Sequence, residues 1–181
     1  MLDLSLHILD VAANGVRAGA DRIEITVEED RTADRLTITI EDNGRGMEAE
    51  FLAKVLDPFT TTCPARKVGL GLSLFQQAAR QAEGDLRVDS TPGKGTRVSA
   101  YMSYSHIDRK PIGNMVDTLA ALIEAGPAVD FVYTHKNEGR EYKLDTVSMR
   151  LNLEEIPINN PRVIRLIRND ILSGLREIVS G

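Results

Sequence analysis

The sequence has little of what secreted and membrane proteins depend on. Its 181 residues include one cysteine, Cys63, and no tryptophan. A single cysteine excludes an internal disulfide and is typical of a reducing compartment. No apolar run approaches the roughly 18 residues that a membrane span needs, and no basic segment followed by an apolar one opens the chain. These absences predict a cytoplasmic protein with no membrane attachment.

Basic residues are also few relative to acidic ones. Lysine and arginine number 22 against 27 aspartate and glutamate, which gives a net charge of -5. Because nucleic-acid phosphates select for an excess of positive charge, this balance excludes nucleic acid as the main partner. Aromatic residues make up 4% of the chain, so the core must be aliphatic. The length allows one good core, or a core domain with a smaller appendage.

The first segment, residues 2 to 18, has the pattern of a helix that is apolar over most of its surface. At 100° per residue its polar side chains fall within an arc of roughly 80°. They are Asp3, His7, Asp10, Asn14 and Arg17. Polar groups on a largely buried helix need partners, water or a ligand. The stripe therefore indicates either a solvated face or the wall of a binding pocket.

The next hundred residues predict an α+β fold. Residues 22–28 and 36–41 alternate with period two, which indicates an antiparallel hairpin with one buried face. The later elements are a short helix at 48–55, a proline-punctuated loop at 58–67, a helix from Leu72 to about Ala82, and strands at 85–90 and 96–103. This order predicts a two-layer sandwich in which a mixed sheet carries its helices on one face.

Residues 105–181 predict a second, smaller α+β module. Its elements are a helix at 111–125, a hairpin of strands 129–136 and 140–150 joined by a turn at 137–139, and a final helix at 161–179. The apolar row of the last helix is expected to pack on its own hairpin or on a partner helix. His106 and His135 have no metal-ligand spacing around them, so both are expected at the surface. The module would serve output or oligomerisation.

Four short motifs in the first part of the chain resemble the boxes of a known superfamily. Asp10–Arg17 resembles the N box, Asp42–Met47 the first glycine box, Asp57–Phe59 the F box and Gly69–Leu72 the second glycine box. The turn at 90–96 resembles the one that closes the domain in histidine kinases. Together they resemble GHKL proteins (gyrase, MutL and sensor histidine kinases), and most of all the histidine kinase catalytic domain. The resemblance covers residues 1–104 and implies the Bergerat ATP-binding fold, with ATP and Mg²⁺ as cofactors.

The resemblance also implies a role for each matching residue. Asn14 would supply a neutral amide oxygen to Mg²⁺, which prefers hard oxygen ligands. Arg17 would reach a phosphate. Asp42 would accept from the exocyclic amine of adenine, where guanine offers a carbonyl. Further contacts to the nucleotide are expected from Gly44, Gly46, Met47, Lys67, Gly69, Leu70, Gly71 and Thr96.

Some positions depart from the family pattern. Asp10 stands where relatives carry Glu or His, and it is the candidate general base, shorter than Glu by one methylene. Lys67 replaces a further glycine of the second glycine box. The segment between Phe59 and Gly69 is short for a lid over the nucleotide, which predicts slow turnover. His7 lacks the acidic neighbour of a phosphoacceptor, so it is expected to pack or to support the site, and this chain is expected to hold no phosphoacceptor domain.

Three functions are compatible with these features. The first is a regulatory protein that binds ATP and transfers phosphate in trans to His or Ser of another protein, or hydrolyses ATP slowly. The second is a nucleotide-gated protein-binding switch without appreciable catalysis, similar to an anti-sigma regulator. The third is a degenerate scaffold, which the intact Asn14, Asp42 and glycines disfavour. Each of the first two requires a protein partner in signal transduction, and a homodimer is left open.

Overall fold

A computed structural model describes residues 3–57, 59 and 70–179 of the chain. Along the chain the elements are α1 (Leu4–Arg17), β1 (Arg22–Asp30), β2 (Arg35–Asp42), α2 (Ala49–Leu52), α3 (Leu70–Gln81), β3 (Asp85–Thr91), β4 (Gly95–Ser103), α4 (Met115–Ala125), β5 (Asp130–Asn137), β6 (Arg140–Asp145), α5 (Thr146–Leu153) and α6 (Pro161–Val179). No helix within these ranges is long and apolar enough to cross a membrane.

The strands form one six-stranded mixed sheet in the order β3-β4-β2-β1-β5-β6. All neighbouring strands are antiparallel except β1 and β5, which run parallel. In β1 the alternate residues Ile23, Ile25 and Val27 are buried while Glu24 and Glu28 are exposed, as one covered face requires. One hydrophobic cluster joins this face to residues of α1, α3, α4 and α6. The predicted α+β sandwich with a mixed sheet is confirmed.

Helix α1 lies across the sheet with its apolar side buried. Its N-terminus is capped by Asp3, whose carboxylate accepts from the backbone N–H of Leu6 at 3.2 Å. Leu4 and Ile8 are fully buried. His7 is buried as well, and its ring stacks on Phe75 of α3 with 5.1 Å between centroids. The prediction that His7 packs between helices is confirmed.

The strands of the second half belong to the same sheet as those of the first. Strand β5 pairs with β1 from Arg22↔Asp130 to Glu29↔Asn137, and β6 forms the edge. The apolar row of α6 packs on the hairpin of β5 and β6 and on α4. Of the two predicted packing partners of this helix, the structure shows its own hairpin. The division of the chain at residue 104 stays a prediction.

Two predicted elements of the second half are wrong in part. The strand predicted at 140–150 ends at Asp145, and α5 follows it. The Asp145 side chain caps α5 by accepting from the N–H of Val147 at 2.9 Å, and the buried Thr146 hydroxyl accepts from the N–H of Phe131 at 2.8 Å. Helix α4 begins at Met115, with Asn114 as its cap, rather than at 111.

His135 is buried, so the prediction of a surface residue is wrong. It lies on β5, an interior strand whose alternate residues face the core, and 4% of it is exposed. Its Nε2 lies 2.7 Å from a carboxylate oxygen of Glu29 on β1, and its Nδ1 lies 2.7 Å from the hydroxyl of Tyr133. His106 is half-buried, with its ring 4.0 Å from the exposed Glu83.

The Glu29–His135 contact ties the two halves of the chain together inside the sheet. Burial pushes the pKa of the Glu29 carboxyl up, but the hydrogen bonds of His135 and Tyr104 and the charges of His135 and Arg31 together leave that pKa below its ordinary value. A carboxylate with a lowered pKa adds stability above the unfolded-state pKa, and that stability is lost as pH falls through the folded-state pKa.

Prediction: His135→Ala lowers the free energy of unfolding by about 3 kcal/mol at neutral pH, because the buried Glu29 carboxylate loses the hydrogen bond and the charge of His135. The loss shrinks as pH falls through the pKa of Glu29, because a protonated Glu29 carries no charge that needs compensation. Urea unfolding at pH 7 and pH 4 measures both values. The control His106→Ala changes stability by less than about 0.5 kcal/mol. A loss that is independent of pH would show that His135 acts through packing alone.

Candidate nucleotide-binding site

Helix α1 meets the end of β2 with no side chain between them. A Cβ at Gly15 would lie 2.9 Å from the Cβ of Asp42 and 3.1 Å from Ile23. Glycine in a helix interior costs about 1 kcal/mol relative to alanine, so its presence here reflects the close approach. Gly15 of α1 and Asp42 of β2 are thereby brought into direct contact, and Asn14 is the residue before Gly15 on the helix.

The Asp42 carboxylate is half-buried at this junction. One of its oxygens accepts from the backbone N–H of Gly44 at 2.9 Å. Burial raises the pKa of Asp42, while the backbone N–H groups of Gly44 and Thr96 oppose that rise. With those donors on one side, the remaining lone pairs can accept from a ligand.

The turn after β2 is held on both sides by backbone contacts. A Cβ at Gly44 would lie 3.0 Å from Ala18 at the end of α1, and the N–H of Arg45 donates to the Ala18 carbonyl at 3.0 Å. Gly46 has φ +67°, and a Cβ there would lie 2.1 Å from the carbonyl oxygen of Thr91. Both predicted glycines therefore serve close backbone approach, and the turn cannot move without displacing its neighbours.

Thr96 pairs with Asp42 across β2 and β4, so both side chains face the helix layer. The Thr96 hydroxyl lies 2.9 Å from the hydroxyl of Ser90 on β3. Met47 reaches the same group, because its backbone N–H donates to the Ser90 hydroxyl at 2.9 Å. The structure thus brings Asn14, Asp42, Gly44, Gly46, Met47 and Thr96 to one end of α1.

Asp10 lies on α1 five residues before Gly15, against the start of α3. A Cβ at Gly71 would lie 1.9 Å from an Asp10 carboxylate oxygen, so only glycine leaves room for that carboxylate. The Asp10 carboxylate is therefore close to the N-terminal turn of α3.

His7 lies one turn earlier on α1. Burial lowers the pKa of its ring, which favours the neutral form, although the Asp10 and Asp3 carboxylates oppose that shift.

Asn14 and Arg17 are in contact with each other. The Arg17 guanidinium donates to the side-chain oxygen of Asn14, and both residues are exposed. The oxygen that the sequence assigns to a metal is therefore accessible from solvent but engaged by a cation. No group of three or more His, Cys, Asp or Glu in 3–57, 59 and 70–179 is arranged to hold a metal ion.

Part of the predicted site lies outside the described residues. The described residues do not include Lys67, Gly69 or the predicted lid from Thr60 to Val68. Leu70 is the first residue of α3, but its side chain is not described.

Three residues of the site were not identified from the sequence: Gly15, Ser90 and Gly95, where a Cβ would lie 1.9 Å from the Asp42 carbonyl oxygen. For Gly15 a signal existed, because glycine is unfavourable in the middle of a helix. Ser90 carried no such signal.

The chain belongs to the family described as histidine kinase-, DNA gyrase B- and HSP90-like ATPases, whose model matches residues 2–106. The predicted membership of the GHKL superfamily, of the histidine kinase type, is confirmed.

Curated relatives that match about half of the chain include proteins named as kinases from several bacteria. Signal transduction histidine-protein kinase AtoS of Escherichia coli K12 is 39% identical over 89 residues, covering 49% of this chain and 14% of that protein. Sensor histidine kinase ZraS of Salmonella typhi is 35% identical over 93 residues, covering 51% and 20%. Sporulation kinase C of Bacillus subtilis 168 is 30% identical over 88 residues, covering 49% and 20%. The chain therefore spans a fifth or less of the length of these relatives.

One solved structure resembles the fold over almost the whole chain. It is the N-terminal domain of a DNA repair protein, with a TM-score of 0.52 and 16% identity, and the match covers 97% of this chain and 59% of that one. The match extends through β5, β6 and α6, so the extended sheet has a counterpart in a known structure.

Prediction: Gly46→Ala lowers the free energy of unfolding by at least about 2 kcal/mol more than Gly93→Ala does, because a methyl group at position 46 would overlap the backbone of Thr91. Both glycines have positive φ, at +67° and +74°, so both variants carry the backbone cost of about 1–2 kcal/mol. Only position 46 faces the Thr91 carbonyl; nothing lies within 4 Å of a Cβ at Gly93. Thermal and urea unfolding measure the difference. Equal losses would mean that the turn is free to move away from Thr91.

Proposed function

We propose that this chain binds Mg-ATP along α1 and uses it to phosphorylate a protein partner in trans, or hydrolyses it slowly. The observation that supports this most is the placement of α1. It holds Gly15 against Asp42 at one point and Asp10 against Gly71 at another, about 7.5 Å further along the helix axis. A base site and a phosphate site are thereby joined by one rigid element.

The adenine would lie at Asp42. The half-buried carboxylate presents only acceptors, and the exocyclic amine of adenine supplies the donors that it needs. Guanine carries a carbonyl at the same place, and an acceptor facing a carboxylate is unfavourable. Gly44 and Gly46 leave the base and sugar free of side-chain obstruction, while Met47 and Thr96 complete this end of the site.

The phosphates would lie toward the start of α3. A helix N-terminus favours anions through its unpaired N–H groups and its dipole. Gly71 lies in that turn, in contact with the Asp10 carboxylate. Asp10 lies beside that turn, where its carboxylate would accept the proton of the attacking water or hydroxyl group as the new bond to the γ-phosphorus forms and ADP leaves. Leu70, Lys67 and Gly69 are proposed as further phosphate contacts.

Magnesium would reach the site with the nucleotide. Mg²⁺ keeps water and phosphate oxygens in its shell and needs few protein ligands. The amide oxygen of Asn14 is a suitable ligand, and it is accessible. Arg17 now donates to that oxygen; when a metal takes its place, the guanidinium becomes available for a phosphate. Binding would therefore exchange one cation on Asn14 for another.

The names of the relatives support the proposed reaction class. Two of the relatives are named histidine kinases and a third a sporulation kinase, and one carries the words signal transduction in its name. That likeness supports a role in signalling, and we propose with it a partner that carries the phosphoacceptor. The acceptor is proposed to be His or Ser of another protein, because this chain is expected to hold no phosphoacceptor domain.

A nucleotide-gated switch is the second candidate, because α1 is bonded directly to the second half. The N–H groups of Leu4 and Ser5 donate to the carbonyls of Pro111 and Ile112 at 2.9 and 2.7 Å. The buried Thr118 hydroxyl of α4 donates to the Ser5 carbonyl at 3.4 Å. A shift of α1 on nucleotide binding would therefore reach α4 without an intermediate element.

Prediction: Asp42→Asn weakens ATP binding at least tenfold, because the carboxylate acceptor is replaced by an amide that carries donors of its own. Isothermal titration calorimetry with Mg-ATP measures the affinity, and circular dichroism checks the fold. Asp89→Asn is the matched control, since Asp89 is an exposed carboxylate of β3 that pairs with Arg87. Unchanged affinity in Asp42→Asn would defeat the adenine assignment.

Prediction: Asp10→Asn lowers phosphate release or transfer about 100-fold while the affinity for ATP changes less than threefold, as expected for the loss of a general base. ATP labelled at the γ-position, incubated with the chain alone and with cell extract, gives free phosphate and labelled protein. ATP binding by the wild-type chain with neither product would exclude the kinase and the ATPase and favour the switch.

A further inference from the structure

We propose that Ser90 is a positioning residue that sets the base specificity of the site by fixing the hydroxyl proton of Thr96. The inference rests on the proposed ATP site and goes one step beyond it. It assigns a specificity role to Ser90, the first residue of the turn at 90–96, to which the sequence analysis gave no role of its own.

The Ser90 hydroxyl has three hydrogen-bond neighbours. The backbone N–H of Met47 donates to it at 2.9 Å, it donates to the carbonyl oxygen of Gly95 at 2.9 Å, and the Thr96 hydroxyl lies 2.9 Å away. A hydroxyl has one proton and two acceptor sites. The proton of Ser90 is used by Gly95, because a carbonyl can only accept. Between Ser90 and Thr96 the donor must therefore be Thr96.

Thr96 is left with acceptor sites only. Its single proton points to Ser90, so the free lone pairs of its Oγ1 are what it can offer to a ligand. Thr96 is the cross-strand partner of Asp42, and a carboxylate also only accepts. Asp42 and Thr96 thus form a pair of acceptors side by side on β2 and β4.

Two adjacent acceptors match the exocyclic amine of adenine, which carries two N–H groups. A base without that amine leaves both acceptors without a donor at a half-buried site, which is unfavourable. Without Ser90 the Thr96 hydroxyl is free to rotate and to donate its proton, so one of the two acceptors that select the amine is lost. Ser90 itself need not touch the nucleotide.

The test compares ATP with purine riboside triphosphate, which is ATP without the exocyclic amine and keeps the ring nitrogens unchanged. Calorimetry gives the ratio of the two dissociation constants for each variant. We expect Ser90→Ala to lower the preference for ATP about fivefold, the size of one neutral hydrogen bond. Ser90→Thr restores the hydroxyl and should keep the preference. Ser99→Ala, which removes a hydroxyl from the opposite face of β4, is the control.

A double-mutant cycle separates specificity from structure. Thr96→Val should lower the preference by a similar factor, and adding Ser90→Ala to it should change the ratio no further. If Ser90→Ala leaves the ratio of the two dissociation constants unchanged, Ser90 is structural and the inference is wrong. If Ser90→Ala does not fold, Ser90→Thr and Thr96→Val still decide, because the first must keep the preference and the second must lose it. A wild-type chain that binds neither nucleotide would instead reject the proposed function.

Discussion

The close approach of α1 to the end of β2 is the constraint on which the site depends. Gly15 removes the side chain that would separate the two elements, and Asp42 is packed against the gap it leaves. The turn after β2 is then fixed from α1 through Ala18 and from the β3–β4 turn through Thr91. Interiors packed at this density do not adjust freely. These contacts therefore fix the backbone that carries Asp42, and the N–H of Gly44 holds its carboxylate.

The same helix connects the site to the second half of the chain. Its first turn is bonded to residues 111–112 and to α4, while its last turns carry Asn14 and Arg17. Strand β5 completes the connection, because it pairs with β1 along its length and places the buried His135 against Glu29. Events at the nucleotide and events in residues 105–181 thus share one sheet and one helix. The proposed nucleotide-gated switch depends on that arrangement.

Local patterns made much of this architecture predictable. The polar stripe of α1, the alternation of β1 and β2, and the glycines after Asp42 are all signals within a few residues of the elements they describe. The pairing of β5 with β1 joins residues about a hundred positions apart, and no local pattern encodes it; the burial of His135 could not be predicted without it. The strand predicted at 140–150 was wrong because the cap at Asp145 overrides a short alternating pattern. Ser90 was missed because its proposed role depends on neighbours from two other segments, Met47 after β2 and Gly95 and Thr96 at the start of β4.

Amide chemical shifts recorded during a titration with Mg-ATP test the central claim most directly, since they report which backbone groups sense the ligand. The account predicts that the largest changes fall on Gly15, Gly44, Gly46 and Gly71, at both ends of the proposed site along α1. The amide of Gly139, at the turn between β5 and β6, should change little. Saturable changes centred on that turn, or none at millimolar ATP in a folded sample, would contradict the account.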